Sequence, residues 1–221
     1  MKNIAIILAG GNSERFGGDI PKQFVMLNEK RIIDYSISTF SANKYISDVI
    51  IVCEQNWIGT IKQEYPNCNI VGGGKTRKES SYNGLQACPK DTDNVLIHDS
   101  ARPFISSDII SSCIEALSNY KAVNTVVPAV DTIVEIKNKY ISNIPLRDYM
   151  FLSQTPQAFH FDIIIKAHDT YQEEATDDIS LVKKLGVKCS SVKGSIYNFK
   201  LTNEMDMYLA EKIVFNQYES K

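Results

Sequence analysis

The chain has 221 residues, with 24 Lys and Arg against 26 Asp and Glu and a net charge of −2. That length suits a single α/β domain, residues 1–221, and the near balance of charge argues against a nucleic-acid face or a polybasic membrane patch. The apolar runs stop at strand length, five scattered cysteines form no Cys-x-x-Cys, and strand-like sequence follows directly on Met1-Lys2-Asn3. The expectation is a cytoplasmic protein with reduced, packed thiols and no membrane span.

Lys2–Leu8 is an apolar, β-branched run that predicts a buried strand. It enters the loop Ala9-Gly10-Gly11-Asn12-Ser13-Glu14-Arg15-Phe16-Gly17-Gly18, followed by Pro21-Lys22-Gln23-Phe24. Small residues let backbone N–H groups approach an anion, and Arg15 and Lys22 add full charges, so this loop is a candidate phosphate site. Its glycines match neither G-x-G-x-x-G nor the P-loop pattern, so on its own it also fits an ordinary turn with two solvated cations.

Further along, apolar spacing predicts a helix over 31–40, a strand over 49–53, a helix over 54–65 ended by Pro66, and a strand over 69–71. Gly72-Gly73-Gly74 then leads into a helix opening at Lys75–Ser81 and reaching about Cys88. A strand over 95–98 runs into Asp99-Ser100-Ala101-Arg102-Pro103, followed by a helix through Ile109–Leu117 and a strand over 125–129. This alternation predicts a mostly parallel sheet covered on both faces, with ligands beyond the carboxyl ends of its strands. Three polar loops fall at such ends: Gly10–Lys22, Gly72–Ser80 and Asp99–Pro103.

After Pro128 the pattern changes. Thr132–Ile136 and Lys139–Ile144 alternate around Lys137-Asn138-Lys139, which predicts an inserted β-hairpin, an arm of about 129–150. Apolar residues on such an excursion need a cover, either its own domain or a second subunit. Helices are expected over 161–171 and over 177–185 with Asp177 or Thr176 as N-cap, strands over 187–192 and 197–201, and a closing helix over 203–215.

The Leu8-Ala9-Gly10-Gly11-x-x-x-Arg15-Phe16-Gly17…Pro21-Lys22-Gln23-Phe24 stretch resembles the signature loop of nucleotidyltransferases, most closely the cytidylyltransferases that act on polyol phosphates. The resemblance spans nearly the whole chain. It implies a Rossmann-like three-layer domain with an inserted β-hairpin dimerisation arm, and transfer of CMP from CTP to a polyol phosphate with release of pyrophosphate.

By that resemblance Arg15, Lys22 and Lys200 are catalytic cations, and Leu8, Ala9, Gly10 and Gly11 line CTP. Gly74, Lys75 and Ser80 read cytosine and ribose. Thr132, Arg147 and Arg102 hold the acceptor phosphate, with Arg147 completing the neighbour's site in a homodimer. Asp99, an acid at a strand end, is the candidate ligand for Mg²⁺, which favours a few carboxylates together with phosphate oxygens. Two departures stand out: Ser13 where glycine is frequent, and Lys75 where methylerythritol enzymes often carry an acid.

The chemistry agrees with the residues. The acceptor's phosphate is already ionised at neutral pH, so the reaction needs cation density rather than a general base. No Ser-His-Asp order or paired-carboxylate motif is present. Of the histidines, strand-end His98 is expected to be packed, and His160 and His168 to be structural or on the surface. Asn143-Ile144-Pro145-x-Arg147 and Tyr197-Asn198-Phe199-Lys200 favour D-ribitol 5-phosphate as the acceptor. The alternative is 2-C-methyl-D-erythritol 4-phosphate, as in isoprenoid synthesis. Less favoured are a sugar-phosphate enzyme using another base and a non-catalytic nucleotide-binding relative.

Overall fold

The computed structural model describes residues 1–11 and 20–219, and all statements of structure below concern these. Strand β1, Asn3–Ala9, is buried along its whole length because its neighbours cover both edges and both faces. Its side chains alternate across the sheet, so Ala5, Ile7 and Ala9 join one core and Ile4, Ile6 and Leu8 the other. Each fully buried isoleucine contributes on the order of 1.5–3 kcal/mol over its exposed state.

The sheet has seven strands: β4 (Asp48–Cys53) and β5 (Asn69–Gly72) on one side of β1, and β6 (Asn94–Asp99), β10 (Phe151–His160), β7 (Ala122–Pro128) and β11 (Ser190–Lys193) on the other. All run parallel except β10, which lies antiparallel between β6 and β7. Helices α1 (Ile32–Ser41), α2 (Ile58–Glu64) and α4 (Ser107–Ala116) cover one face through Ile33, Ile37, Phe40, Ile61, Ile110 and Cys113. On the opposite face α3 (Arg77–Gln86), α5 (Phe161–Thr170) and α6 (Asp178–Lys184) pack through Leu85, Ile164, Leu181 and Val182. This is the three-layer α/β architecture with a mostly parallel sheet that the alternating pattern predicts.

A third, smaller core has a specific consequence for the site. Leu201, Ala210 and Val214, from the approach to and body of α7 (Glu204–Glu219), pack on Leu27 and Ile32. Leu27 belongs to the short ladder of β2 (Met26–Leu27) and β3 (Lys30–Arg31). The end of the chain is thereby fastened beside the segment that carries Lys22.

Several expectations are corrected. Strand β10 is absent from the sequence reading, because Ser153-Gln154-Thr155-Pro156-Gln157 interrupts its apolar pattern and proline cannot donate to a ladder. The register shifts between Gln154 and Gln157, and Thr125 Oγ1 donates to the Pro156 carbonyl at 2.6 Å. Residues 197–201 form no strand. A turn closes on Asn198 N to Ser195 O, and Leu201 N donates to Ala101 O, pinning the segment to the loop after β6. The strand expected over 187–192 is confined to 190–193, and the first arm strand starts at Glu135 rather than Thr132.

The expected β-hairpin is present. Strands β8 (Glu135–Lys137) and β9 (Tyr140–Asn143) pair antiparallel around Asn138 and Lys139, both at positive φ. Asp177 caps α6, its Oδ1 accepting from Ser180 N. No helix among the described residues is long and apolar enough to cross a membrane.

Candidate active site

The site forms where β1, β5 and β6 end. At Gly10 and Gly73 two loops touch backbone to backbone. A Cβ built on Gly73 would lie 3.3 Å from the Gly10 Cα, and one on Gly10 3.1 Å from Ser80 Oγ. A side chain at either glycine would require its neighbours to give by a few tenths of an ångström. Ser80 Oγ accepts from Gly74 N at 3.1 Å and donates to Thr76 O, so the turn into α3 is held in shape. Thr76 caps that helix by accepting from Glu79 N, and Glu79 Oε2 accepts from Lys75 N at 2.6 Å. Gln23 Nε2 donates to the carbonyls of Ala9 and Gly11, bracing the mouth of the first loop. The predicted residues Leu8, Ala9, Gly10, Gly11, Gly74, Lys75 and Ser80 therefore belong to one cradle built from two strand ends. Arg15 and Ser13 lie outside the described residues.

Beside the cradle lies a cluster of charge. Asp99, at the end of β6, accepts from Lys200 Nζ at 2.6 Å through Oδ2 and from Arg77 Nε at 3.2 Å through Oδ1. Burial would raise the Asp99 pKa, but Arg77, Lys200 and Arg102 outweigh it and hold it well below the usual carboxylate range. Arg102 donates to Asn198 O at 2.8 Å, and burial lowers its pKa despite Asp99. Lys22 Nζ donates to Leu201 O at 2.8 Å, which puts it next to Lys200. Three stretches distant in sequence, carrying Lys22, Asp99 with Arg102, and Lys200, are thus brought together.

Thr132 and Arg147 are not part of this cluster within the chain. Both lie on the arm, where Arg147 Nη1 donates to Val130 O. The arm is studded with exposed apolar groups; Tyr140 is 78% and Tyr149 75% exposed.

The histidines behave as packed groups. His98 is fully buried, with Nδ1 against Thr155 Oγ1 and Nε2 against Arg102 O, both at 3.1 Å. Burial pushes its pKa down to about 4, so it is neutral at physiological pH. His168, buried on α5, has Nε2 3.0 Å from Asp178 Oδ1. His160 Nε2 lies 3.0 Å from Leu117 O.

Four polar residues at the site escape the sequence reading: Arg77, Gln157, Asp178 and Thr155. Thr155 Oγ1 accepts from Asp99 N at 3.0 Å. Gln157 Oε1 accepts from the N–H groups of Asp178 and Ile179, seating the first turn of α6. The Gln154–Gln157 run and the Asp177-Asp178 pair are visible in the sequence, but only the unpredicted strand β10 sets Thr155 on Asp99 and Gln157 on Asp178.

The chain matches the family model described as 2-C-methyl-D-erythritol 4-phosphate cytidylyltransferase (IspD) over residues 3–216. It belongs to that family. It is therefore a cytidylyltransferase by family, an enzyme of the nucleotidyltransferase class. Among family relatives, a Thermosipho melanesiensis 2-C-methyl-D-erythritol 4-phosphate cytidylyltransferase is 38% identical, over 97% of this chain and 99% of that protein. A ribitol-5-phosphate cytidylyltransferase of Lactiplantibacillus plantarum is 36% identical, over 95% and 97% respectively. Among solved structures, a 4-diphosphocytidyl-2C-methyl-D-erythritol synthase from Anaerococcus prevotii superposes with a TM-score of 0.87 at 28% identity, covering 96% of both chains.

Proposed function

We propose that the chain transfers CMP from CTP to D-ribitol 5-phosphate, giving CDP-ribitol and pyrophosphate. The observation that carries the transfer chemistry is the meeting of the Gly10–Gly73–Ser80 cradle with the Lys22–Leu201 and Lys200–Asp99 contacts at one end of the sheet. The cradle offers backbone N–H groups to a triphosphate, and the lysines offer charge to the oxygens that become more negative as the bond to pyrophosphate breaks.

Neutral, buried His98 has no part in proton transfer and none is required, because the attacking phosphate oxygen is already ionised. Lys22 and Lys200 each bond an oxygen that a phosphate oxygen can replace, and a charged acceptor is the stronger partner. By the family resemblance, Arg15 adds a further cation. Arg102 and, from the arm, Thr132 and Arg147 hold the acceptor phosphate.

Mg²⁺ fits this site. Asp99 is one carboxylate at a strand end, and among the described residues no group of three or more His, Cys, Asp or Glu could hold the ion alone. That donor set suits an ion completed by phosphate oxygens and water. Such an ion would supply positive charge to the phosphate oxygens. The residue assigned to it is Asp99.

The choice of acceptor rests on Asn143-Ile144-Pro145-x-Arg147 and on Tyr197–Lys200, which resemble ribitol-phosphate enzymes. A second reading, 2-C-methyl-D-erythritol 4-phosphate, is favoured by the matched family model and by the greater number of relatives with that name. Pyrophosphate release from CTP with each acceptor separates them. Preference for D-ribitol 5-phosphate is expected, and preference for the methylerythritol substrate would overturn the assignment.

We further infer a homodimer formed through the arm. Its support is the row of exposed apolar side chains Ile136, Tyr140, Ile141, Leu146 and Tyr149, which a second subunit would cover. In such a dimer Arg147 acts in the neighbour's site.

A further inference from the structure

Asp99 stands between two cations of different kinds. Lys200, on a loop, grips Oδ2 with a mobile ammonium whose side chain is 36% exposed. Arg77, on the first turn of α3, grips Oδ1 with a guanidinium held from behind. Its Nη1 donates to Asp178 Oδ2 at 2.7 Å, and Asp178, whose side chain is 1% exposed, accepts at Oδ1 from Ser81 Oγ at 2.6 Å and faces His168 Nε2 at 3.0 Å. The backbone N–H of Asp178 is taken by Gln157. The planar fork of Arg77 therefore spans two carboxylates from opposite sides, one at the site and one in the core.

We propose that Arg77, backed by Asp178, is a positioning residue for the transfer reaction. It keeps the Asp99 carboxylate in place when Lys200 leaves it for a substrate phosphate. The proposal rests on the cytidylyl-transfer reading and extends it to two residues without an assigned role.

The physical case turns on competition. For Lys200 to serve a phosphate, Asp99 must stay satisfied by its other side-chain partner beside any ion it holds, because a buried carboxylate stripped of its partners is costly. Arg77 supplies that second partner. Without it, Asp99 has every reason to retain Lys200, and its side chain loses the bond that sets its orientation. Burial opposes the charge on Arg77, yet Asp99 and Asp178 together keep it firmly protonated. Arg77 also sits one residue past Thr76, in the turn that shapes the Gly74–Ser80 cradle. One side chain therefore ties the nucleotide-facing turn to the phosphate-facing acid.

The test is a cycle of Arg77→Met, Asp99→Asn and the double variant, measuring pyrophosphate release from CTP and polyol phosphate together with the thermal midpoint. Arg77→Met is expected to lower kcat about 10²-fold, the scale of a small misplacement at a reacting centre, with KM for CTP changed less than about threefold. In the Asp99→Asn background the same substitution is expected to change kcat by no more than about twofold, since residues acting as one unit are not additive. Arg77→Lys, a point charge that cannot span both acids, is expected to recover only part of the loss. Independent effects that multiply in the double variant, or a raised KM with kcat intact, would overturn the proposal.

Asp178→Asn is isosteric and leaves Arg77 in place, so it carries the same cycle if Arg77→Met does not fold. A readout without turnover comes from crystal structures of Arg77→Met and Asp178→Asn. Rotation of the Asp99 carboxylate away from its wild-type rotamer is expected, and an unmoved Asp99 would refute the role. If the wild-type protein releases no pyrophosphate with any polyol phosphate, the transfer reading fails on its own, while the crystallographic arm still decides the Arg77–Asp99 relationship.

Discussion

Lys22 Nζ donates a 2.8 Å hydrogen bond to the backbone carbonyl of Leu201, 179 residues further along the chain. The bond sets Lys22 beside Lys200, so one cation from the first loop and one from the last meet over the same ground. Lys22→Ala is expected to reduce kcat for pyrophosphate release by about 10²–10³-fold with the fold intact, the usual cost of losing one charge-stabilising donor. Arg15→Ala is expected to fall in the same range. Turnover at the wild-type rate in both would remove the assigned roles.

Lys200→Met breaks the 2.6 Å contact with Asp99. A similar loss of kcat is expected, and Asp99 keeps its hydrogen bond to Arg77 and the nearby charge of Arg102. Steady-state kinetics over a range of CTP concentrations check this. A pure KM effect would show that Lys200 only helps the substrate to bind.

Gly74 is a steric test of the cradle. A Cβ there would fall 2.2 Å from Glu79 Cβ and 3.0 Å from the Glu79 carbonyl carbon, so the first turn of α3 would have to move. Gly74→Ala is expected to raise KM for CTP about tenfold or more, as one good hydrogen bond to the nucleotide is lost. Titration calorimetry with CTP gives the same quantity directly, and unchanged affinity would detach this turn from nucleotide binding.

His98 sets an acid limit on stability. Its folded pKa is depressed by burial to about 4 from 6.5, so the unfolded chain binds the proton more readily between those values. Stability is accordingly full above about pH 6.5 and falls as pH drops toward 4, by on the order of 1 kcal/mol per pH unit. Urea melts of wild type and His98→Gln across this window test it. The variant is expected to lose the slope, and an equal slope would show that other groups cause it. Asp99 and Asp178, also depressed in the folded state, act at lower pH, their contribution being lost as pH falls below the unfolded carboxylate value near 4.

The arm gives an assembly test. Leu146→Glu with Tyr149→Glu places two charges among its exposed apolar residues. Sedimentation is expected to show the wild type as a dimer and the double variant as a monomer with much reduced activity. A fully active monomeric wild type would separate Arg147 from any role in a neighbouring site.

The sequence was most readable where apolar periodicity carries the information. β1, β4, β6, α1, α4 and α5 lie close to their expected bounds, because their buried faces are continuous. β10 is the instructive failure. Gln154, Thr155 and Gln157 are polar because they bond to Asn198, His98, Asp99 and Asp178, so the features that make the strand useful to the site hide it as a strand. Asp99 and the glycine loops were legible as local motifs at strand ends, whereas Lys200 was singled out by resemblance and the strand expected around it does not form. Arg77 and Asp178 were not, since their partnership exists only after α3 and α6 pack on the same face of the sheet.

The bonds from Lys22 to Leu201 and from Asp99 to Lys200 have a consequence for biosynthesis. Synthesis makes the amino-terminal part of the domain first, while the domain folds as a unit. The two lysines come into register only when Leu201 has emerged and α7 has docked on Leu27. The site is therefore complete only once the Lys200 segment and α7 have docked on the body that carries Lys22 and Asp99.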